Sequence, residues 1–136
     1  MIHEVTIAFT VAVKNGEGKT VKEQYLVDNC NLFAEVEDAM YVGFDGYKAL
    51  DVIAVKRSRI KEVANSRTNA EEKMFIATLV DIFHDPEGNE KEIKYQVAFY
   101  SQKMSTAWAF IREYVAQGYN MKVSAIKETK FIDVVK

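Results

Sequence analysis

The sequence predicts an α+β fold: two pseudo-symmetric strand–strand–helix–strand repeats that form one mostly antiparallel sheet with two helices on one face. Three observations support this prediction. The segments AVKRSRIKEV (54–63) and AIKETKFIDV (125–134) share apolar positions and several identical residues. Each half of the chain opens with alternating apolar and polar residues on both sides of a glycine-containing turn. Each half continues with apolar residues at helical spacing.

The similarity between the halves indicates an internal duplication, and such repeats decide the fold when they are present. An offset of 70 residues places Tyr25 on Tyr95 in the predicted hairpins, and an offset of 71 places Ala54 on Ala125 after the helices. We expect the two apolar stripes to share one core, so a single domain is predicted. Its parts are repeat one (1–64), a polar linker (65–73) and repeat two (74–136).

The individual elements follow from residue periodicity. Alternation of period two is typical of half-buried strands, and glycine-rich NGEG (15–18) is typical of a hairpin turn. The first repeat is predicted to contain strands at 3–13 and 19–28, a helix at 31–43 and a strand at 50–57. The second is predicted to contain strands at 75–83 and 92–100, a helix that ends at Gly118 and a strand at 121–128.

Composition limits the class of protein. The chain has 136 residues, of which 49% are hydrophobic and 28% charged, as expected of a folded domain with its own core. The first residues lack the pattern of a signal peptide, and no apolar run approaches the roughly 20 residues of a membrane helix. Cys30 is the single cysteine, which excludes an internal disulfide and fits a reducing compartment. We therefore expect a cytoplasmic location and no membrane partner.

The residues that most often carry catalysis do not form a recognisable set. The two histidines, His3 and His84, lack the convergent ligands of a metal site. Cys30 has no histidine near it in sequence that would act as a base. The NGEGKT segment lacks the spacing of a phosphate-binding loop. We therefore predict no catalytic residues, no metal, no cofactor and no enzymatic activity.

The basic segment KRSRIK (56–61) is the strongest indication of a partner. Basic side chains combined with aromatic stacking platforms are typical of proteins that bind single-stranded nucleic acid. A net charge of −2 argues against a dedicated duplex-DNA binder. The predicted contacts are Lys56, Arg57, Arg59 and Lys61 to phosphates, Tyr25 and Tyr95 to bases, and Lys22 on the polar side of the second strand. Two alternatives stay open: that the basic segment is a solvated surface cluster, and that either tyrosine is a core residue.

Three segments carry a resemblance to a known family: VKEQYLVD (21–28), AVKRSRIKEV (54–63) and ETKFIDVV (128–135). The sequence resembles domain-of-unknown-function family 4494 of Bacteroides-group bacteria, their mobile elements and their phages. Lys22 stands where that family has threonine. The resemblance implies a cytoplasmic protein of a phage or mobile element. The duplicated plan is also similar to whirly and purine-rich-element-binding domains, which bind single strands on a sheet but place four strands before each helix.

The leading hypothesis is a non-enzymatic accessory protein that binds single-stranded DNA or RNA in the bacterial host cell. The alternative is a protein-interaction module that binds a host or phage protein, which the sequence pI of about 5.7 favours. Either function is compatible with a homodimer.

Overall fold

The computed structural model describes residues 1–13, 16–117 and 121–136. Asn15 of the predicted turn and Gly118, the predicted helix end, lie outside these ranges. Within them the chain forms eight strands and two helices. In order, the elements are β1 (His3–Ala12), β2 (Gly18–Val27), α1 (Phe33–Gly43), β3 (Lys48–Arg57), β4 (Ile60–Val63), β5 (Lys73–His84), β6 (Glu90–Ser101), α2 (Met104–Ala116), β7 (Met121–Glu128) and β8 (Phe131–Val135).

The chain divides into two compact units, each with one helix and one four-stranded sheet. Unit 1 comprises Met1–Ser58 and Lys130–Lys136, and unit 2 comprises Arg59–Thr129. The strand order is β3-β1-β2-β8 in the first sheet and β7-β5-β6-β4 in the second. The α+β class is confirmed. The prediction of one sheet with two helices on one face is wrong, because the eight strands form two sheets and each sheet carries one helix.

The fourth strand of each sheet comes from the other half of the chain. β4 follows β3 in sequence but pairs in parallel with β6 of unit 2, and β8 follows β7 but pairs in parallel with β2 of unit 1. The chain therefore passes from one unit to the other at 58/59 and again at 129/130. The similar segments 54–63 and 125–134 each contain the end of a third strand and most or all of the exchanged strand. Residues 65–73, the predicted linker, lead from β4 to β5 within unit 2. The prediction of a single domain stays a prediction.

Each helix packs its apolar stripe against one side of its own sheet. In unit 1, Val36 and Met40 of α1 pack in a buried cluster with alternate residues of β1 and β2, including Val5 and Ile7. In unit 2, α2 packs in the same way against alternate residues of β5 and β6. Side chains of a strand alternate between the two sides of a sheet. Each sheet therefore has a helix face and an opposite side, which we call the outer face.

Strand register gives the correspondence between the two units. The pairing of β1 with β3 shifts between Thr6 and Ile7, and the pairing of β5 with β7 shifts between Thr78 and Leu79. The shifts lie 72 positions apart in the first strand of each unit. β-Bulges of this kind fix which residue faces which side, so they are reliable markers of equivalent positions.

The hairpin turns give the same offset. The Gly16 N–H donates to the Val13 carbonyl and the Gly88 N–H donates to the Asp85 carbonyl, both at 2.9 Å. Both glycines have positive φ, 79° and 84°, which favours glycine at each position. The hairpins therefore correspond at 72 positions, and the predicted offset of 70 is wrong in this region.

Candidate nucleic-acid interface

One row of side chains crosses the outer face of each sheet at equivalent positions. Residues opposite each other in adjacent strands project to the same side of a sheet. The central pair of the row is Thr6 with Gln24 in unit 1 and Thr78 with Gln96 in unit 2. In full, the row is Ala54, Thr6, Gln24 and Phe131 in unit 1, and Ala125, Thr78, Gln96 and Ile60 in unit 2.

A shallow depression lies over the central Thr–Gln pair in each unit. The depression in unit 1 has a volume of about 300 Å³, and that in unit 2 about 200 Å³. Their sizes are at or below the lower end for small-molecule sites. Besides the Thr–Gln pairs, the linings include Glu4, Lys56 and Phe131 in unit 1, and Arg59, Lys94 and Tyr95 in unit 2.

The outer faces carry more basic than acidic side chains in the described strands. The exposed lysines of these faces are Lys22, Lys48 and Lys56 in unit 1, and Lys94, Lys122 and Lys127 in unit 2. The acidic residues on the same faces are Glu4, Asp51, Glu90 and Glu92. Arg59 adds a further cation at the second depression. Positive charge is thus concentrated on these faces, although the net charge of the chain is −2.

The structure separates the basic residues of KRSRIK. Lys56 lies on the outer face with its side chain 74% exposed and its Nζ 3.6 Å from Glu4 Oε1. Arg57 lies opposite His3 in the register of β1 and β3, which places it on the helix face. Arg59 lines the depression of unit 2, whereas the Nζ of Lys61 lies 4.6 Å from the centroid of the Tyr95 ring. These four cations therefore do not belong to one strand face.

Tyr25 is part of the core of unit 1. It is 6% exposed, its hydroxyl donates to Glu23 Oε1 at 3.0 Å, and its ring centroid lies 4.7 Å from that of Phe44. Burial, with the Glu23 hydrogen bond, raises the pKa of the Tyr25 phenol well above its usual value. Tyr25 thus occupies the core position that the sequence left open for it, and its enclosed ring offers no open face to a base.

Tyr95 and Lys22 keep access to the solvent. Tyr95 is half-buried, its hydroxyl donates to the sulfur of Met121, and part of the residue lines the depression of unit 2. Lys22 is exposed on the outer face of β2, as its polar pattern indicates. Tyr95 is not the counterpart of Tyr25, because the offset of 72 aligns Tyr25 with Val97.

Thr6 and Gln24, with their counterparts Thr78 and Gln96, were not among the contacts predicted from the sequence. Their identity between the two units is a sequence signal that could have found them. At the offset of 72, the identical hairpin residues are Thr6/Thr78, Gly16/Gly88, Lys19/Lys91, Lys22/Lys94 and Gln24/Gln96. The buried cluster positions of the same strands differ between the units, for example Val5 against Ala77. The identities therefore fall on polar and turn positions rather than on the core.

Two titratable groups lie near the start of α1. His3 is fully buried, both ring nitrogens lack a hydrogen-bond partner in the described part of the chain, and its ring centroid lies 5.6 Å from that of Phe33. Burial, the Arg57 charge and the amino terminus lower the pKa of His3, while Glu35 opposes them. Burial raises the pKa of the Cys30 thiol, which disfavours the reactive thiolate.

The fold and this surface define an α+β protein with two four-stranded sheets, each covered by one helix on one side. The outer face of each sheet carries polar residues and lysines beside buried apolar side chains, among them Leu26 in unit 1 and Met74, Ile76 and Ala98 in unit 2. The whole chain, residues 1–136, matches the family described as a domain of unknown function, DUF4494, and belongs to that family. No curated protein and no solved structure matches the chain. Among the residues that the structure describes, no helix is long and apolar enough to cross a membrane, and no group of three or more His, Cys, Asp and Glu residues is placed to hold a metal ion.

Proposed function

We propose that the protein is a non-enzymatic accessory protein that binds single-stranded nucleic acid on the outer faces of its two sheets. The observation that carries this proposal is the combination on both faces of lysines with a half-buried Thr–Gln pair. Lysine ammonium groups attract phosphates without regard to sequence. Glutamine amides and threonine hydroxyls form hydrogen bonds with the edges of bases.

The shape of the surface favours a single strand over a duplex. Sheet-based readers of single strands spread the bases over a flat surface and use polar and aromatic side chains to hold them. The exposed part of each outer face around the Thr–Gln pair offers such a surface, with a depression of about 300 Å³ in unit 1 and about 200 Å³ in unit 2. A duplex binder is usually strongly basic overall, whereas this chain has a net charge of −2.

The biological setting that we propose is the cytoplasm of a bacterium that carries a phage or mobile element. The resemblance of the sequence to proteins of such elements supports this setting, and the single cysteine fits a reducing compartment. Replication and repair intermediates supply single strands there.

A protein-interaction module remains the second candidate because of apolar side chains around α1. Leu32 is 63% exposed, Phe33 52% and Val42 79%. Exposed apolar side chains form contact surfaces when they are contiguous, and Leu32 and Phe33 are adjacent in sequence at the start of α1. A host or phage protein or a second copy of the chain would cover them.

The experiment that tests the proposal is fluorescence anisotropy with labelled single-stranded DNA, single-stranded RNA and a duplex of the same length, at about 50 and 200 mM salt. Four phosphate contacts predict a roughly 50-fold loss of affinity between the two salt concentrations. Salt-dependent binding to a single strand, tighter than to the duplex, is the expected result. Absence of single-strand binding at 50 mM salt would overturn the proposal. The protein-interaction module, with the exposed apolar residues around α1 as its contact surface, would then be the function to test.

A further inference from the structure

We propose that the outer faces contain two equivalent nucleotide-binding sites, one in each unit, and that the site in unit 2 is the tighter of the two. Each site consists of the central Thr–Gln pair, the depression above it and the lysine two residues before the glutamine. The inference rests on the proposed function, since it assigns the ligand of the same surface: one nucleotide of a single strand at each site.

The equivalence of the sites rests on strand register as well as on residue type. Gln24 lies opposite Thr6 on one side and Phe131 on the other, and Gln96 lies opposite Thr78 and Ile60. In both sheets the pairing with the exchanged strand is irregular just beyond the glutamine. The two Thr–Gln pairs therefore occupy the same place in two sheets with the same strand order.

The chemistry at the centre of each site is suited to a nucleobase. A glutamine amide offers one donor and one acceptor side by side, and threonine offers a hydroxyl that serves as either. A base edge presents donors and acceptors at similar spacing. Lys22 and Lys94, two residues before the glutamines, project to the same outer faces and are exposed, so they are placed to contact the adjoining phosphate.

The residues around the centre differ, and this difference predicts unequal affinities. In unit 1 the Lys56 ammonium is 3.6 Å from the Glu4 carboxylate, which offsets part of its charge. In unit 2 the counterpart of Glu4 is Ile76, opposite Lys127, and Arg59 lines the depression. The site in unit 2 therefore presents more uncompensated positive charge to a phosphate.

The test is isothermal titration calorimetry of the full chain with a tetranucleotide of the base that binds most tightly in the anisotropy titration. We expect two tetranucleotides per chain with two different affinities. Gln96→Leu should weaken the tighter step and Gln24→Leu the weaker step, each by roughly 10- to 100-fold, as the loss of a bidentate contact to a base predicts. Thr20→Val, which removes an exposed hydroxyl from the outer face away from the Thr–Gln pair, is the matched control and should change neither step.

The unfolding midpoint of each variant is measured in parallel, and Gln→Glu replaces Gln→Leu at a position where leucine lowers it. One tetranucleotide per wild-type chain would overturn the inference. Two unchanged binding steps in both glutamine variants would overturn it as well. In either case, the proposed function would stand if longer single strands still bind in the anisotropy titration. Failure of long single strands to bind at 50 mM salt would remove the proposed function and this inference together.

Discussion

Phe131 lies opposite Gln24 in the register of β8 and β2, although 107 positions separate the two residues in the chain. β8 thereby completes the sheet that β1 and β2 begin. Val135 packs beside the core of unit 1, and its carbonyl accepts a hydrogen bond from the Asp28 N–H at 2.9 Å. β8 is thus part of the structure of unit 1.

Truncation after Thr129 should therefore destabilise unit 1. The change removes three half-buried apolar side chains of β8, Phe131, Val134 and Val135, and predicts a loss of about 3 kcal/mol of unfolding free energy. Native-state hydrogen exchange locates the effect, since protection should fall in β1 and β2 more than in β5 and β6. Deletion of the exposed Lys136 alone is the control. Equal loss of protection in both units would contradict the assignment.

Two arginines of the basic segment should differ in their effect on binding. Arg59→Glu places a negative charge at the depression of unit 2 and should weaken single-strand binding by roughly tenfold or more, as expected for a lost and reversed charge contact. Arg57→Glu makes the same charge change on the helix face of unit 1 and should have an effect below about twofold, which salt screening makes smaller still. Both are measured by anisotropy at 50 mM salt. Equal losses would indicate a general charge effect.

His3 should make the protein less stable in mild acid. Its pKa in the folded state is below the ordinary value of 6.5, chiefly because of burial, so below pH 6.5 the unfolded chain binds a proton that the folded chain excludes. The stabilisation is complete above pH 6.5 and is lost as the pH falls towards the folded-state pKa, by up to about 1.4 kcal/mol per pH unit.

Urea unfolding between pH 5 and pH 8 measures this dependence. His3→Phe, which installs the residue found at the equivalent position 75, should flatten the curve below pH 6.5. His84→Gln, at an exposed position, should leave the curve of the wild type unchanged. A wild-type curve that His3→Phe does not alter would show that other groups cause the acid sensitivity.

Tyr25 should matter for stability and not for binding. Tyr25→Phe removes the hydrogen bond to Glu23 and should cost about 1 kcal/mol, while Tyr25→Ala should cost about 3–5 kcal/mol because it empties a core position. Chemical denaturation gives both values. Anisotropy should give the same affinity for Tyr25→Phe as for the wild type, and a large loss of affinity in that variant would restore a role in base stacking.

The sequence predicts the local elements well because periodicity is a local property. Alternation of period two identifies the hairpins, and the apolar spacing identifies both helices close to their observed bounds. Local periodicity does not predict the exchanged strands. β4 has only four residues and β8 only five, and both pair in parallel with strands distant in the chain. No local pattern specifies such a partner, so one sheet was predicted where two exist.

The candidate site was predicted in part. Strand alternation alone predicts that Lys56 and Arg57 project to opposite sides, because the predicted strand 50–57 contains both residues, so the basic run could have been divided from the sequence. The offset of 70 was favoured by the alignment of Tyr25 with Tyr95. At that offset Gln24 does not align with Gln96. The strand register shows that the two glutamines are equivalent, because each lies opposite an equivalent threonine.

The central claim is that the outer faces bind the single strand, and two double variants test it most directly. Lys22→Glu with Lys94→Glu reverses charge on the outer faces of β2 and β6. Lys19→Glu with Lys91→Glu makes the same change at exposed positions of the same strands, opposite Val11 and Phe83 on the helix faces. Anisotropy at 50 mM salt should show binding weakened by roughly 100-fold or more in the first variant and by only a few-fold in the second. Equal affinities in the two variants would contradict the claim.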